Sequence, residues 1–316
     1  MSTKKVLVDT DIGPDCDDVA ALAMMNIYAN RGMCEILGIG HCTSNPYGAG
    51  TIDAINLYYG HENIPIGTYY GANFLTDEAC MKYNRHLTQT MPNRYKDSQP
   101  EPAVKMYRRI LAEQEEHSVE FVAIGPLNNL SDLLNSAPDE VSPLSGVQLV
   151  GKKVIRLVSM AGVFPCADMK QREKNKQITG KSIYEHEEYN VMCDVAAAQN
   201  VVDKWPTPRV FLGFEAGLVE TCGILQKTAP QDHPVRVAYQ LYTENGYRFS
   251  WDLLTMEYAI DVNCGHYKTS ALGRVMFDNM GRTQWLEDVD GVDRFVEGAA
   301  PEEKIASDIN SLLQNG

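Results

Sequence analysis

Five aspartates crowd the stretch 9–18: Asp9, Asp11, Asp15, Asp17 and Asp18. Carboxylates so placed repel one another, so a fold that keeps them needs a cation or raised pKa values. Hard oxygen ligands in that number suit calcium or magnesium rather than zinc. Any single aspartate here reads more simply as an N-cap or a solvated turn residue. Five of them beside an apolar run point instead to a metal site. Asp17 and Asp18 also fall in the first turn of a helix, where the dipole favours ionised carboxylates.

The elements that must position this cluster can be read on either side of it. The run 6–8 is a short buried strand, Gly13 and Pro14 break it, and 19–27 resumes at helical spacing. Strand-like and helical runs then alternate: 35–40 strand, 52–59 helix, 64–67 strand, and 101–116 helix with Val104, Tyr107, Ile110 and Leu111 on one face. Residues 119–124 form the clearest strand, Gly125-Pro126 opens the next helix, and 154–160 and 209–214 supply further strands. Repeated βα units predict an α/β fold, Rossmann-like, with a largely parallel sheet and helices on both faces. Ligands in such sheets bind at the carboxyl ends of the strands, where the aspartates lie. The polar stretches 73–100 and 166–186 have no period and read as long loops, lids or partner contacts. No repeat or linker divides the chain, so one domain over 1–316 is expected.

Composition narrows the function. With 316 residues, 44% of them hydrophobic, the chain can bury a large core. A net charge of −14 argues against nucleic acid as a partner. The eight cysteines are scattered without a Cys-x-x-Cys pair and read as reduced thiols. No secretory leader precedes the first strand and no apolar run reaches membrane-spanning length, so a cytoplasmic protein without a membrane partner is expected. The seven histidines show no metal-ligand spacing.

Asp11, Gly13, the Asp17-Asp18 pair and the Ala-rich helix after them resemble the opening motif of the nucleoside hydrolases, with about two extra residues between Gly13 and Asp17. In that family the motif binds calcium and activates water against an N-glycosidic bond. The insertion leaves Asp15 or Asp17 as the base; the run Asp17-Asp18-Val19-Ala20-Ala21-Leu22 matches as a unit and favours Asp17. The resemblance covers most of the chain. Asn45 in Thr43-Ser44-Asn45 is similar to a strand-end Asn that contacts ribose, where the plainer reading is a turn residue. Val122 to Leu130 is similar to a strand end whose carbonyl, at Ile124, binds calcium, although Pro126 also marks an ordinary helix start. Met160, in Ser159-Met160-Ala161-Gly162, matches a further strand end. Glu188 and Asn190 match residues that grip ribose hydroxyls; without the resemblance, 185–188 is an exposed acidic run.

In Ser250-Trp251-Asp252, Asp252 matches the last calcium ligand, and Trp251 stands where a leaving-group acid, often His, is found. Tyr239 and Tyr242, one helical turn apart, match the region that supplies aromatic residues near the base, core packing being the alternative. The resemblance thus implies a calcium-dependent (Ca2+) purine-leaning nucleoside N-ribohydrolase in purine salvage. Asp11, Asp18, Asp252 and the Ile124 carbonyl would hold the ion, with Asp17 as base and a small-molecule nucleoside as substrate. A homo-oligomer, dimer or tetramer, is expected. The leaving-group acid stays open, with Tyr83 and His86 as candidates. Two rivals remain: an aspartyl-phosphatase, since Asp9-Thr10-Asp11 ends a strand, and a non-catalytic ribose or calcium binder.

Overall fold

In the computed structural model, which describes residues 3–166 and 169–316, the first strand shows why two layers of helices form. Val6 and Val8 belong to one hydrophobic core and Leu7, between them, to another. Alternate side chains of a strand point to opposite faces, so a strand apolar at successive positions is covered on both sides. The first core holds the helices Asp17–Asn30 and Trp251–Ile260, and the second holds Ala103–Glu113 and Asn128–Asn135.

Thirteen strands follow one another in the described chain: β1 (Lys4–Thr10), β2 (Cys34–His41), β3 (Ile66–Thr68), β4 (Glu101–Pro102), β5 (Val119–Ile124), β6 (Val154–Met160), β7 (Arg209–Leu212), β8 (Glu220–Thr221), β9 (Arg248–Phe249), β10 (Tyr267–Thr269), β11 (Gly273–Phe277), β12 (Thr283–Glu287) and β13 (Asp293–Gly298). The main sheet runs β12-β11-β13-β7-β6-β5-β1-β2-β3-β4, with β10 paired to β13. From β13 through β4 every pairing is parallel, while β10, β11 and β12 pair antiparallel. The chain builds outward from β1 through β4, then returns to the other side of β1 with β5, β6 and β7. The order therefore reverses between β1 and β5, the place where open α/β sheets bind their ligands.

The expected α/β class and the parallel sheet are present. The antiparallel extension β10–β13 was not foreseen. Both unperiodic stretches carry structure: 73–100 holds a short 3-10 turn, Glu78–Met81, and the helix Asn84–Thr90, and 166–186 holds the helix Met169–Thr179. Ala167 and Asp168 of the second stretch lie outside the described residues.

Candidate active site

Two strand ends and two helix starts converge at the reversal. Thr10 of β1 pairs with Ile124 of β5, so Asp11 and Ile124 emerge side by side. Gly125 follows because nothing larger fits: a Cβ there would lie 2.7 Å from the Asp11 nitrogen and 2.8 Å from Cys42 Sγ. Asp17 and Asp18 open one helix, and Trp251 and Asp252 open the other. The two helices pack together, with Val19 through Met25 fully buried. Three alanines in that run shorten the contact.

These elements border a cavity of about 340 Å3, within the range of roughly 300–1,000 Å3 usual for small-molecule sites. Asp11, Asp17, Asp18, Ile124, Met160, Glu188, Asn190, Tyr242, Trp251 and Asp252, all named from the sequence, line it. Asn45 and Tyr239, also expected at the substrate, do not. The Asn45 amide donates to the Cys80 carbonyl at 2.8 Å and its oxygen accepts from the Tyr47 N–H at 2.9 Å, so it serves a turn. Tyr239 is fully buried in the first core; it and Tyr242 share a helix, but only Tyr242 reaches the cavity.

Asp17, Asp18 and Asp252 each offer an oxygen, all within 4.8 Å of one another and all buried. Asp17 Oδ2 accepts from the Asp252 N–H at 3.0 Å, and Asp18 accepts from the Thr10 hydroxyl. Among the described residues no other residue donates a hydrogen bond to the Asp11 carboxyl. Burial and neighbouring carboxylates push Asp11 up to about 8 and hold Asp17, Asp18 and Asp252 well above the usual carboxylate range. A divalent cation would remove that cost, and buried, closely set hard oxygens are the donor set it needs. The aspartate-rich group could therefore hold a metal ion.

The inserted residues form the rim. Arg248 forks onto the Asp15 carboxylate, with Nε 2.9 Å from Oδ1. Tyr242 donates to the Pro14 carbonyl at 2.6 Å, and Tyr83 donates to the Asp15 carbonyl. Asp15 is thus held in an ion pair while Asp17 faces Asp252. Tyr83 is fully buried and His86 exposed, and neither lines the cavity. Arg248 went unnoticed in the sequence. The only signal was the need for a cation beside so many carboxylates.

Next to this rim, with the Arg248 guanidinium 5.1 Å over its ring, Trp251 packs against Phe214 with ring centroids 5.1 Å apart, and its indole N–H donates to the Phe214 carbonyl at 2.8 Å. Glu188 accepts from the N–H groups of Asn190 at 2.8 Å and of Val191 and Gly162 at 3.1 Å, and burial pushes it up to about 7. Asn190 donates to the Met160 carbonyl at 3.1 Å, which leaves its own oxygen for a ligand. Asp9, the nucleophile of a phosphatase reading, is fully buried away from the cavity, bonded by Tyr107 and by Asn129 at 2.9 Å. No substrate phosphorus in the cavity could reach it.

Residues 6–298 match the inosine-uridine preferring nucleoside hydrolase family. The chain belongs to that family. Solved nucleoside hydrolases share its fold. The inosine-uridine preferring nucleoside hydrolase of Bacillus anthracis superposes with a TM-score of 0.70 at 16% identity, covering 99% of this chain and 100% of its own. The purine-preferring ribonucleoside hydrolase of Gardnerella vaginalis gives 0.72 at 14%, covering 99% and 100%. The type III effector protein XopQ, solved with adenosine diphosphate ribose, gives 0.70 at 14%, covering 99% and 93%. Among curated protein sequences none matches this chain. Nucleoside hydrolase membership, over residues 6–298, supports N-glycosidase chemistry. Among the described residues no helix is long and apolar enough to cross a membrane.

Proposed function

We propose that this cavity hydrolyses the N-glycosidic bond of ribonucleosides, with calcium as its ion and purines as its preferred leaving bases. The observation that carries the reading is the buried triplet Asp17, Asp18 and Asp252 beside Asp11 at the sheet reversal. The triplet and the Ile124 carbonyl are the groups proposed to hold the ion. Calcium bound there would supply positive charge to a water molecule and to sugar hydroxyl oxygens. Asp11 then takes the proton of the attacking water, because its carboxyl is free of other donors while Asp17 is bonded to Asp252. This exchanges the roles that the sequence motif suggested for Asp11 and Asp17.

Glu188 and Asn190, which line the same cavity, accept and orient sugar hydroxyls, and the carboxylates around the sugar stabilise an oxocarbenium-like transition state. Trp251, Phe214 and Tyr242 offer aromatic surface to the base. The Trp251 N–H is committed to Phe214, so this wall stacks rather than protonates. A pyrimidine would present less ring to it. Asparagine variants separate the two aspartates. Asp11→Asn should bind calcium and lose about 10²–10⁴ in kcat, the usual range for a missing general base, whereas Asp17→Asn should lose calcium itself. The reverse pattern would restore Asp17 as the base. A second reading, a ribose binder without turnover, draws support from the rim that Asp15 and Arg248 form. Nucleoside binding with no base released would favour it.

A further inference from the structure

Away from the active-site cavity, three residues of different ligand chemistry meet at the other end of the same helix. Glu257, Cys264 and His266 bring a carboxylate oxygen, a thiol sulfur and an imidazole nitrogen within 4.8 Å of one another. Glu257 lies in the last turns of Trp251–Ile260, five residues beyond Asp252 and so about 7.5 Å further along the axis. Cys264 and His266 follow in the turn after that helix. Gly265 between them has φ +88°, a left-handed conformation that a side chain would strain, and it bends the chain back toward Glu257.

Around these three stands a second layer. His266 Nδ1 is 2.8 Å from Glu257 Oε2, and its Nε2 is 2.9 Å from Asp308 Oδ2 on the C-terminal helix Glu302–Gln314. Tyr267 donates its hydroxyl to the same Glu257 oxygen at 2.5 Å. A histidine that presents one nitrogen to a metal and donates from the other to a carboxylate is the arrangement that fixes metal-binding imidazoles. Glu257 and His266 are buried, and Cys264 is half-buried at the edge of a cavity of about 330 Å3 that Asp261 and Asp308 also line. That cavity gives an ion a route in and leaves room for a water as fourth ligand.

We propose that Glu257, Cys264 and His266 form a second metal site, for zinc, with Asp308 orienting His266 and Tyr267 orienting Glu257. Sulfur, nitrogen and oxygen together suit a borderline ion, whereas the all-oxygen cluster at Asp252 suits a hard one. Tetrahedral zinc sets its ligand atoms about 3.5 Å apart, so the His266–Glu257 pair, now 2.8 Å apart, must open slightly while Cys264, within 4.8 Å, closes, rotations of about an ångström. The bound ion would join the helix that starts at Asp252 to the turn after it, with Asp308 of the C-terminal helix touching it only through His266. The competing occupant is a proton: His266 charged between Glu257 and Asp308 would satisfy the same hydrogen bonds.

Cobalt distinguishes the two, because cobalt bound to a thiolate absorbs in the near ultraviolet. The full chain, stripped of metal and supplied with calcium, is titrated with cobalt. A charge-transfer band saturating near one cobalt per chain is expected, and zinc should abolish it. The band should survive Asp252→Asn and vanish in Cys264→Ser and His266→Gln, whose circular dichroism confirms folding. Absence of a band in the wild-type protein, its persistence in folded Cys264→Ser, or its loss in Asp252→Asn would overturn the site.

Discussion

Replacing Asp252 by Asn keeps the shape of the side chain and removes one charge from the buried triplet. Two unit charges 4.8 Å apart repel by about 3.5 kcal/mol at an effective dielectric near 20. Fully ionised, Asp252 would therefore face roughly 7 kcal/mol from Asp17 and Asp18. Protonation is the cheaper escape. Holding a proton at pH 7 on a group whose ordinary value is 3.8 costs about 1.36 × 3.2, or about 4 kcal/mol. Asparagine avoids that cost but leaves an amide short of partners, a loss of about 1–3 kcal/mol. Metal-free Asp252→Asn should thus be more stable than the wild type by roughly 1–3 kcal/mol, raising Tm by roughly 1.5–4.5 °C. Calcium reverses the order. At a thousand times its Kd it stabilises the wild type by about 4 kcal/mol, and the variant should gain almost nothing. Differential scanning calorimetry in EGTA and in excess calcium reads both effects. A variant less stable than wild type in EGTA, or shifted as far by calcium, would refute the electrostatic argument.

Other expectations follow from the same geometry. In EGTA the protein should lose stability as pH rises from about 4 to 8. Burial raises Asp11 to about 8 and Asp9 and Glu188 to about 7, so their folded forms hold protons that the unfolded chain releases; urea midpoints that climb with pH would contradict this. Gly125→Ala places a methyl 2.7 Å from the Asp11 nitrogen, and the displaced Asp11 should lower kcat by about 10²-fold with calcium still bound. Unchanged kcat would mean that Asp11 is not held by this contact. Trp251→Ala should reduce kcat/KM for inosine by roughly tenfold and for uridine by less. An equal loss for both would remove the case for stacking.

Much of this architecture is legible in the chain because its physics is local. The 6–8 run, the cluster 9–18 and the helix after it are contiguous, and parallel β1 and β5 bring Ile124 to Asp11 as βα topology requires. What depends on rotation or on distant partners is not legible. Tyr239 and Tyr242 sit one turn apart on one helix, and spacing alone does not say which of the two reaches the cavity and which the core takes up. Asn45 has two possible uses, and only the position of Cys80 shows that its amide is already taken. The insertion at Pro14 and Asp15 became interpretable once Arg248, more than two hundred residues later, was seen to clamp it. The grouping of Asp17 with Asp252 likewise depends on packing between two helices far apart in sequence. Cys264 and His266 escaped notice for the same reason, since their carboxylate partner lies on the preceding helix and Asp308 on the last one.

The most direct test of the central claim is the release of free base from inosine by the purified full chain, with calcium and then with EGTA. Hypoxanthine and ribose should appear in equal amounts with calcium, and the rate should collapse when the ion is chelated or when Asp11 is replaced by Asn. Inosine bound at the cavity but recovered intact, or base released at the same rate by Asp11→Asn, would contradict it.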